Sequence, residues 1–338
     1  MVWDFDRPIV VAPMAGGPST PDLVTAAASA GAVGFLAAGY KSPDAVAQEV
    51  ARLRSSRLPY GLNIFVPSPA PADVAALEEY RRALRPEADR YGVDLPPLRL
   101  DDDDHFAAKV DIAVGAAVPL VSFTFGVPDP AVVTALRRAG CRVWVTVTNA
   151  AEARRAMAAG ADALVAQAGS AGGHSATTSP AGYGGDASAP QVVREVVAAV
   201  DVPVIAAGGT GTAADVRRAL AAGAVAVQAG TAFLLADEAG TRPVQRAAML
   251  SGRFTATVVT RAFTGQPARG LANRFTGTYS PIAPIGYPAV HHLTAPIRAA
   301  AAAQGDPEAV HLWAGTAYAD ARPGPAADIV RGLSSPTT

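Results

Sequence analysis

A single cysteine, Cys141, stands in a chain of 338 residues. That excludes an intramolecular disulfide and a cysteine metal cluster, and its place beside the apolar run VWVTV marks it as a small buried hydrophobe. Lysine is nearly absent, at Lys41 and Lys109 alone, yet Lys and Arg together number 28 against 29 Asp and Glu. The net charge of −1 gives no electrostatic footprint for nucleic acid or an anionic membrane surface. The largest charge block, Asp101 to Asp104, reads as a solvated loop or helix start rather than a metal site. No apolar run is long enough to span a bilayer, and MVWDFDRPIV has neither the basic nor the apolar region of a signal peptide. The expectation is a soluble, cytoplasmic protein without a bound metal.

Half of the residues are hydrophobic, and they come in short runs: IVVAPMA, AVGFLAA, GLNIF, LVSFTFG, VWVTV, ALVAQA, VPVIAAG and AVAVQAG. Alanine-rich stretches of helical character separate them, among them PDLVTAAASA, PDAVAQEVARL, PAVVTALRRA, AEARRAMAA, PQVVREVVAAV and AADVRRALAA. Strands alternating with helices indicate βαβ units and a parallel sheet, and strands apolar on both faces fit a sheet covered by helices. Eight such strands predict an α/β chain folded as a (β/α)8 TIM barrel. Gly140, Gly160 and Gly223 sit where each preceding helix needs a C′ residue. The barrel is expected over 1–240, with an excursion from Pro67 to about His105 after the third strand. A C-terminal helical and irregular cap follows over 241–338, its last helix free to return to the barrel and its final residues to fray.

In such a barrel the active site gathers at the C-terminal ends of the strands. Those ends read PMAGG, NIF, TFGVP, TNA, AQAGSAGGH, AAGGTG and QAGTAF, a set of small and amide-bearing residues suited to a flat, partly polar ligand. Gly208, Gly209 and Gly211 precede a helix starting near Thr212, and Gly230 and Thr231 precede another helical stretch. Helix N-termini after strands seven and eight bind phosphate well; the plain alternative is that these are turn glycines. Asn63 and Gln167 place amides at strand ends, where a ring with carbonyls and nitrogens or a neighbouring loop would pair them. Met14 offers its backbone to a ligand face, or fills the core. Tyr183 lies in a loop that is either a lid or simply exposed. Arg261, Arg269 and Arg274 could reach an anionic substrate or phosphate but read first as ion-pairing residues of the cap, and His291 and His292, ahead of a helix start, could be metal ligands but read first as packing residues.

The segments APMAGGPSTPDLVTAAASAGAVGFL, GLNIFVP, AQAGSAGGH, VPVIAAGGTGT, VQAGTAFLLADEAG and TRAFTGQPARGLANRF, in this order over most of the chain, resemble the nitronate monooxygenase family (formerly 2-nitropropane dioxygenases). The resemblance implies an FMN cofactor contacted by Met14, Asn63, Gln167, Gly172, Gly173, Gly208, Gly209, Gln228, Ala229, Gly230 and Thr231. It implies His174, which closes AGGH, as the catalytic base; the alternative is a loop histidine satisfied by backbone. The implied reaction takes an alkyl nitronate or nitro compound and O2, through a flavin semiquinone, to a carbonyl compound and nitrite. Family members commonly follow the GGH with Arg-Gly, whereas Ser175, Ala176 and Thr177 stand here. A nicotinamide-linked enoyl-thioester reductase needs the same FMN residues, and a non-redox barrel could hold a phosphorylated metabolite at the same glycines. A monomer and a homodimer are equally compatible with the sequence.

Overall fold

The computed structural model describes residues 6–56, 58–67 and 73–335. The first five residues read above for a signal, the start of the excursion and the last three residues lie outside that description. Eight parallel strands close into a barrel: β1 (Ile9–Val11), β2 (Val33–Ala37), β3 (Tyr60–Phe65), β4 (Leu120–Thr124), β5 (Arg142–Val147), β6 (Ala163–Gln167), β8 (Val204–Ala207) and β9 (Ala226–Ala229). The last pairs back onto the first through Val10 and Gln228. Each of the eight apolar runs in the sequence is one of these strands. Inside, Phe35 and Trp144 meet with ring centroids 5.2 Å apart. Gly61 makes the space, because a Cβ there would lie 2.2 Å from the Phe35 ring.

Helices cover the outside. They are α1 (Pro21–Ser29), α2 (Pro43–Arg54), α3 (Val74–Ala83), α4 (Arg85–Tyr91), α5 (Phe106–Gly115), α6 (Pro130–Arg138), α7 (Ala150–Ala158), α8 (Ala189–Val197) and α9 (Ala213–Ala221). Their starts are written in the sequence: Thr20, Ser42, Asp129, Asn149 and Thr212 each accept a first-turn amide, caps worth about 1 kcal/mol apiece. Their ends are glycines in left-handed conformation, with φ of +88° at Gly140, +96° at Gly160 and +106° at Gly223.

The remainder forms the cap, with α10 (Pro243–Leu250), β10 (Thr257–Thr260), β11 (Ala268–Leu271), α11 (Arg274–Tyr279) and α12 (Ala289–Ala303). It packs on α3 and α4 around Leu77, Tyr80, Phe263, Phe275 and Ile297. A two-residue strand, β7 (Gly173–His174), leaves the barrel loop and joins β11 antiparallel, pairing His174 with Ala268 and Gly173 with Arg269. This second sheet was not legible in the sequence, since β7 is too short for any periodicity. The final helix, α13 (Ala326–Leu333), lies against α1 and α9 and buries Val330 and Leu333 in the barrel's outer core.

Two local readings are corrected. His291 and His292 lie inside the first turn of α12 rather than ahead of it, and Pro296 sits within that helix. The acidic run is only half solvated. Asp102 meets His292 Nε2 at 2.6 Å, and Asp104 accepts the Tyr40 amide at 3.0 Å and pairs with the fully buried Lys109 at 2.8 Å.

Candidate active site

The strand ends open into a cavity of about 640 Å³ roofed by the cap, within the roughly 300–1,000 Å³ usual for small-molecule sites. Its lining includes Met14, Asn63, Gln167, Gly172, Gly173, His174, Gly208, Gly209, Gln228, Ala229, Gly230 and Thr231. These twelve residues, the expected cofactor contacts and base, therefore share one surface. Among the described residues no group of three or more His, Cys, Asp or Glu could hold a metal.

On the β6–β8–β9 side the wall is backbone. Gly208 and Gly209 have φ of +109° and +66°, and a Cβ on either would reach the Ser170 hydroxyl within 3.0 Å. Ser170 Oγ is buried and among the described residues has no hydrogen-bond partner, an expensive state for a hydroxyl. Opposite, Thr231 Oγ1 accepts the Gly315 amide at 2.9 Å. The start of α9 is a poorer anion position than its sequence suggested. Asp215 takes the Gly211 and Thr212 amides at 3.0 and 2.8 Å in a capping box. The unpaired hydroxyl and open backbone lie one turn earlier, at Ser170, Gly208 and Gly209. Ser170 was missed in the sequence because a lone serine in a glycine loop carries no pattern.

At the barrel mouth Asn63 Nδ2 reaches Ser122 Oγ at 2.8 Å and Thr124 Oγ1 at 3.0 Å, so its amide donors are used and its Oδ1 is the free end. Gln167 is engaged at both ends. Its Nε2 donates to the His174 carbonyl at 3.0 Å, and its Oε1 accepts the Ala176 amide at 2.7 Å. It shapes the loop that carries the histidine. Glu152, buried on α7, accepts from Thr148 and Thr178 and holds the other end of that loop. Gln266 Nε2 closes it by donating to the carbonyls of Ser175 and Thr177.

His174 stands among rings, 5.4 Å from Phe125, 5.9 Å from Tyr287 and 5.5 Å from Trp313 between centroids. Its Nε2 lies 3.0 Å from Thr264 Oγ1. Burial, and then the charge of Arg298, push its pKa down to about 3, so the imidazole is neutral. Arg242 and Arg298 are the charged residues of the lining, which holds no carboxylate. Burial lowers the Arg298 pKa to about 10, which leaves it cationic at neutral pH.

Other expected residues lie elsewhere. Arg274 forms its ion pair with Glu87. Arg269 instead staples loops, donating to the Gly169 carbonyl at 2.6 Å and the Gly185 carbonyl at 3.2 Å. Arg261 donates to the Ala283 carbonyl. None of the three lines the main cavity. Tyr183 is half-buried against the His174 loop, beside Ser175 and Arg269. Among the described residues no helix is long and apolar enough to cross a membrane.

Known proteins with this architecture share its whole length. A family model described as nitronate monooxygenase matches residues 1–335. A probable nitronate monooxygenase of Staphylococcus saprophyticus is 35% identical over 318 residues, covering 91% of this chain and 88% of that protein. The solved nitroalkane oxidase of Streptomyces ansochromogenes is 46% identical with a TM-score of 0.93, covering 97% of this chain and 95% of the other. The structure of FabK from Thermotoga maritima is more distant, at 26% identity and a TM-score of 0.76 over 98% and 93%.

Proposed function

The chain belongs to the nitronate monooxygenase family, and on that premise we propose that it is an FMN-dependent enzyme oxidising alkyl nitronates with O2 to a carbonyl compound and nitrite. The observation that carries the reading is the charge of the cavity: two arginines, no carboxylate and a neutral histidine at the mouth of the barrel. An anion enters such a site at an advantage, and nitronates are anions.

The residues fit the cofactor. Ser170 Oγ lacks a partner, and Gly208 and Gly209 leave the space that a Cβ would fill. Together with Gly230 and Thr231 they would hold the phosphate. Met14, Asn63, Gln167, Gly172, Gly173, Gln228 and Ala229 would face the ring, with Asn63 Oδ1 free to accept from a ring N–H. When bound, FMN supplies the electron acceptor that dioxygen then reoxidises.

The chain's own work is positioning. A nitronate arrives already deprotonated, so the neutral His174 needs to take no proton from it. A neutral nitroalkane would hand its α-proton to the same imidazole, and a low pKa makes that transfer slower than the nitronate reaction. Gln167, Gln266 and Glu152 fix the His174 loop through its backbone, while Trp313, Phe125 and Tyr287 exclude water around the ring.

Anaerobic titration of the FMN-supplemented protein with an alkyl nitronate, followed by visible absorbance, tests the proposal. Loss of the oxidised-flavin band supports it. An unchanged spectrum refutes it for simple nitronates, and bleaching by NADH or NADPH instead would favour the nicotinamide-linked reductase.

A further inference from the structure

Arg298 is 5% exposed and forms no ion pair among the described residues. A buried cation is costly without compensation. Its compensation here is unusual. Nε donates to Thr294 Oγ1 at 3.0 Å and Nη2 to the His291 carbonyl at 2.7 Å. The remaining neighbours are two imidazole nitrogens, His311 Nδ1 at 3.3 Å from Nη1 and His291 Nδ1 at 3.4 Å from Nη2.

A guanidinium can only donate. Both Nδ1 atoms must therefore accept, and a neutral imidazole whose Nδ1 accepts carries its proton on Nε2. Burial, followed by the Arg298 charge, holds both histidines neutral. Arg298 thus sorts two rings into the same tautomer. Both rings line the cavity, and among the described residues neither Nε2–H has a protein acceptor. Tyr40 fixes the plane of His291 by stacking on it, 4.3 Å away and 1° from parallel. Trp313 lies 5.4 Å from His311 and 5.5 Å from His174, and Tyr287 lies 6.4 Å from His291 and 5.9 Å from His174.

We infer that Arg298, His291 and His311 form an anion subsite in the cap wall of the cavity, built for a planar oxyanion. One cation and two N–H donors face the cavity from one side, with no acceptor among them. In the proposed reaction the group that fits is the nitro end of the nitronate, so this assignment of ligand rests on that reading. Its oxygens would meet the cap while the carbon they activate faces the barrel mouth. The α12 spacing supports a built site: His291 and Arg298 are seven residues apart, two helical turns, and so share one face.

Sodium nitrate, a planar oxyanion with no carbon to oxidise, is the probe. Calorimetric titration of the full-length, FMN-supplemented protein is expected to show one nitrate site, weakened at least tenfold in Arg298→Met and severalfold in His311→Phe. His311→Phe keeps the ring packing and decides the matter if Arg298→Met does not fold. Spectra of 15N-histidine-labelled protein are expected to place the proton of both rings on Nε2. Against nitronate, both variants are expected to raise KM more than they lower kcat. Unchanged nitrate affinity in the variants, or protons on Nδ1, would overturn the subsite. Tight, Arg298-dependent nitrate binding in a protein that leaves nitronates untouched would uphold the subsite and overturn the proposed function instead.

Discussion

Three half-buried histidines held neutral make the fold sensitive to mild acid. His174, with its pKa near 3, stays uncharged in the native state at pH 5, and His291 and His311 are both held well below the ordinary value. In the unfolded chain each returns to about 6.5 and takes up a proton. Because the unfolded state binds more protons, stability is fully present above pH 6.5 and falls as the pH drops toward the native values. Between pH 7 and pH 5 the loss from His174 alone is about 2 kcal/mol, and His291 and His311 act in the same direction. Asp104, raised by burial, works the other way by at most one proton. The lowered Asp102, Asp215 and Asp306 titrate below this window. A pH-stat measurement of unfolding in urea at pH 5.5 should therefore record a net uptake of protons, about one of them from His174. His174→Gln should take up about one fewer. Uptake of less than one proton by the wild type would refute the claim that these rings are neutral.

Three substitutions probe the remaining supports. Gly172→Ala would set a Cβ 2.5 Å from the Gly315 amide nitrogen and 2.6 Å from the Ala314 carbonyl carbon. It should lower the melting temperature and strip most flavin from the purified protein, and full retention by absorbance would contradict the close approach. Arg274→Leu leaves the 3%-exposed Glu87 without its partner and should cost about 3–5 kcal/mol. The double variant with Glu87→Leu should recover most of that loss in denaturant unfolding. Glu152→Ala strands the amides of Thr148 and Thr178 and should cost about 3 kcal/mol. In nitronate assays it should depress kcat more than KM, since it loosens the His174 loop.

The barrel was legible because each strand is apolar on both faces and each helix is punctuated, as by Thr212 and Gly223. The glycine-rich strand ends were equally visible, since Gly208 and Gly209 occur as a pair directly after an apolar run. The cap was not. His311 meets Arg298 only because the chain returns after α12, and no local pattern records that return. The seven-residue spacing of His291 and Arg298 was in the sequence, but the sequence points to a helix start after His291 and His292, which lie in its first turn. Gln167 shows a different limit. Its position at a strand end was evident, while its engagement with His174 and Ala176 depended on a loop whose path no periodicity encodes. Asp102 and Asp104 looked like surface charge because His292 comes from 190 residues away and nothing local shows that Lys109, on the helix that follows, is buried.

The two-residue strand β7 makes His174 a member of the cap's sheet, tied through Ala268 to β11, although Gln167, which bonds its carbonyl, belongs to the barrel. The imidazole thus spans a joint. If the cap swung aside to admit a bulky molecule, it would have either to pull the histidine off the barrel mouth or to tear the β7–β11 pairing. An open enzyme would be a disarmed one. Small substrates that slip in without moving the roof are the ones this joint favours.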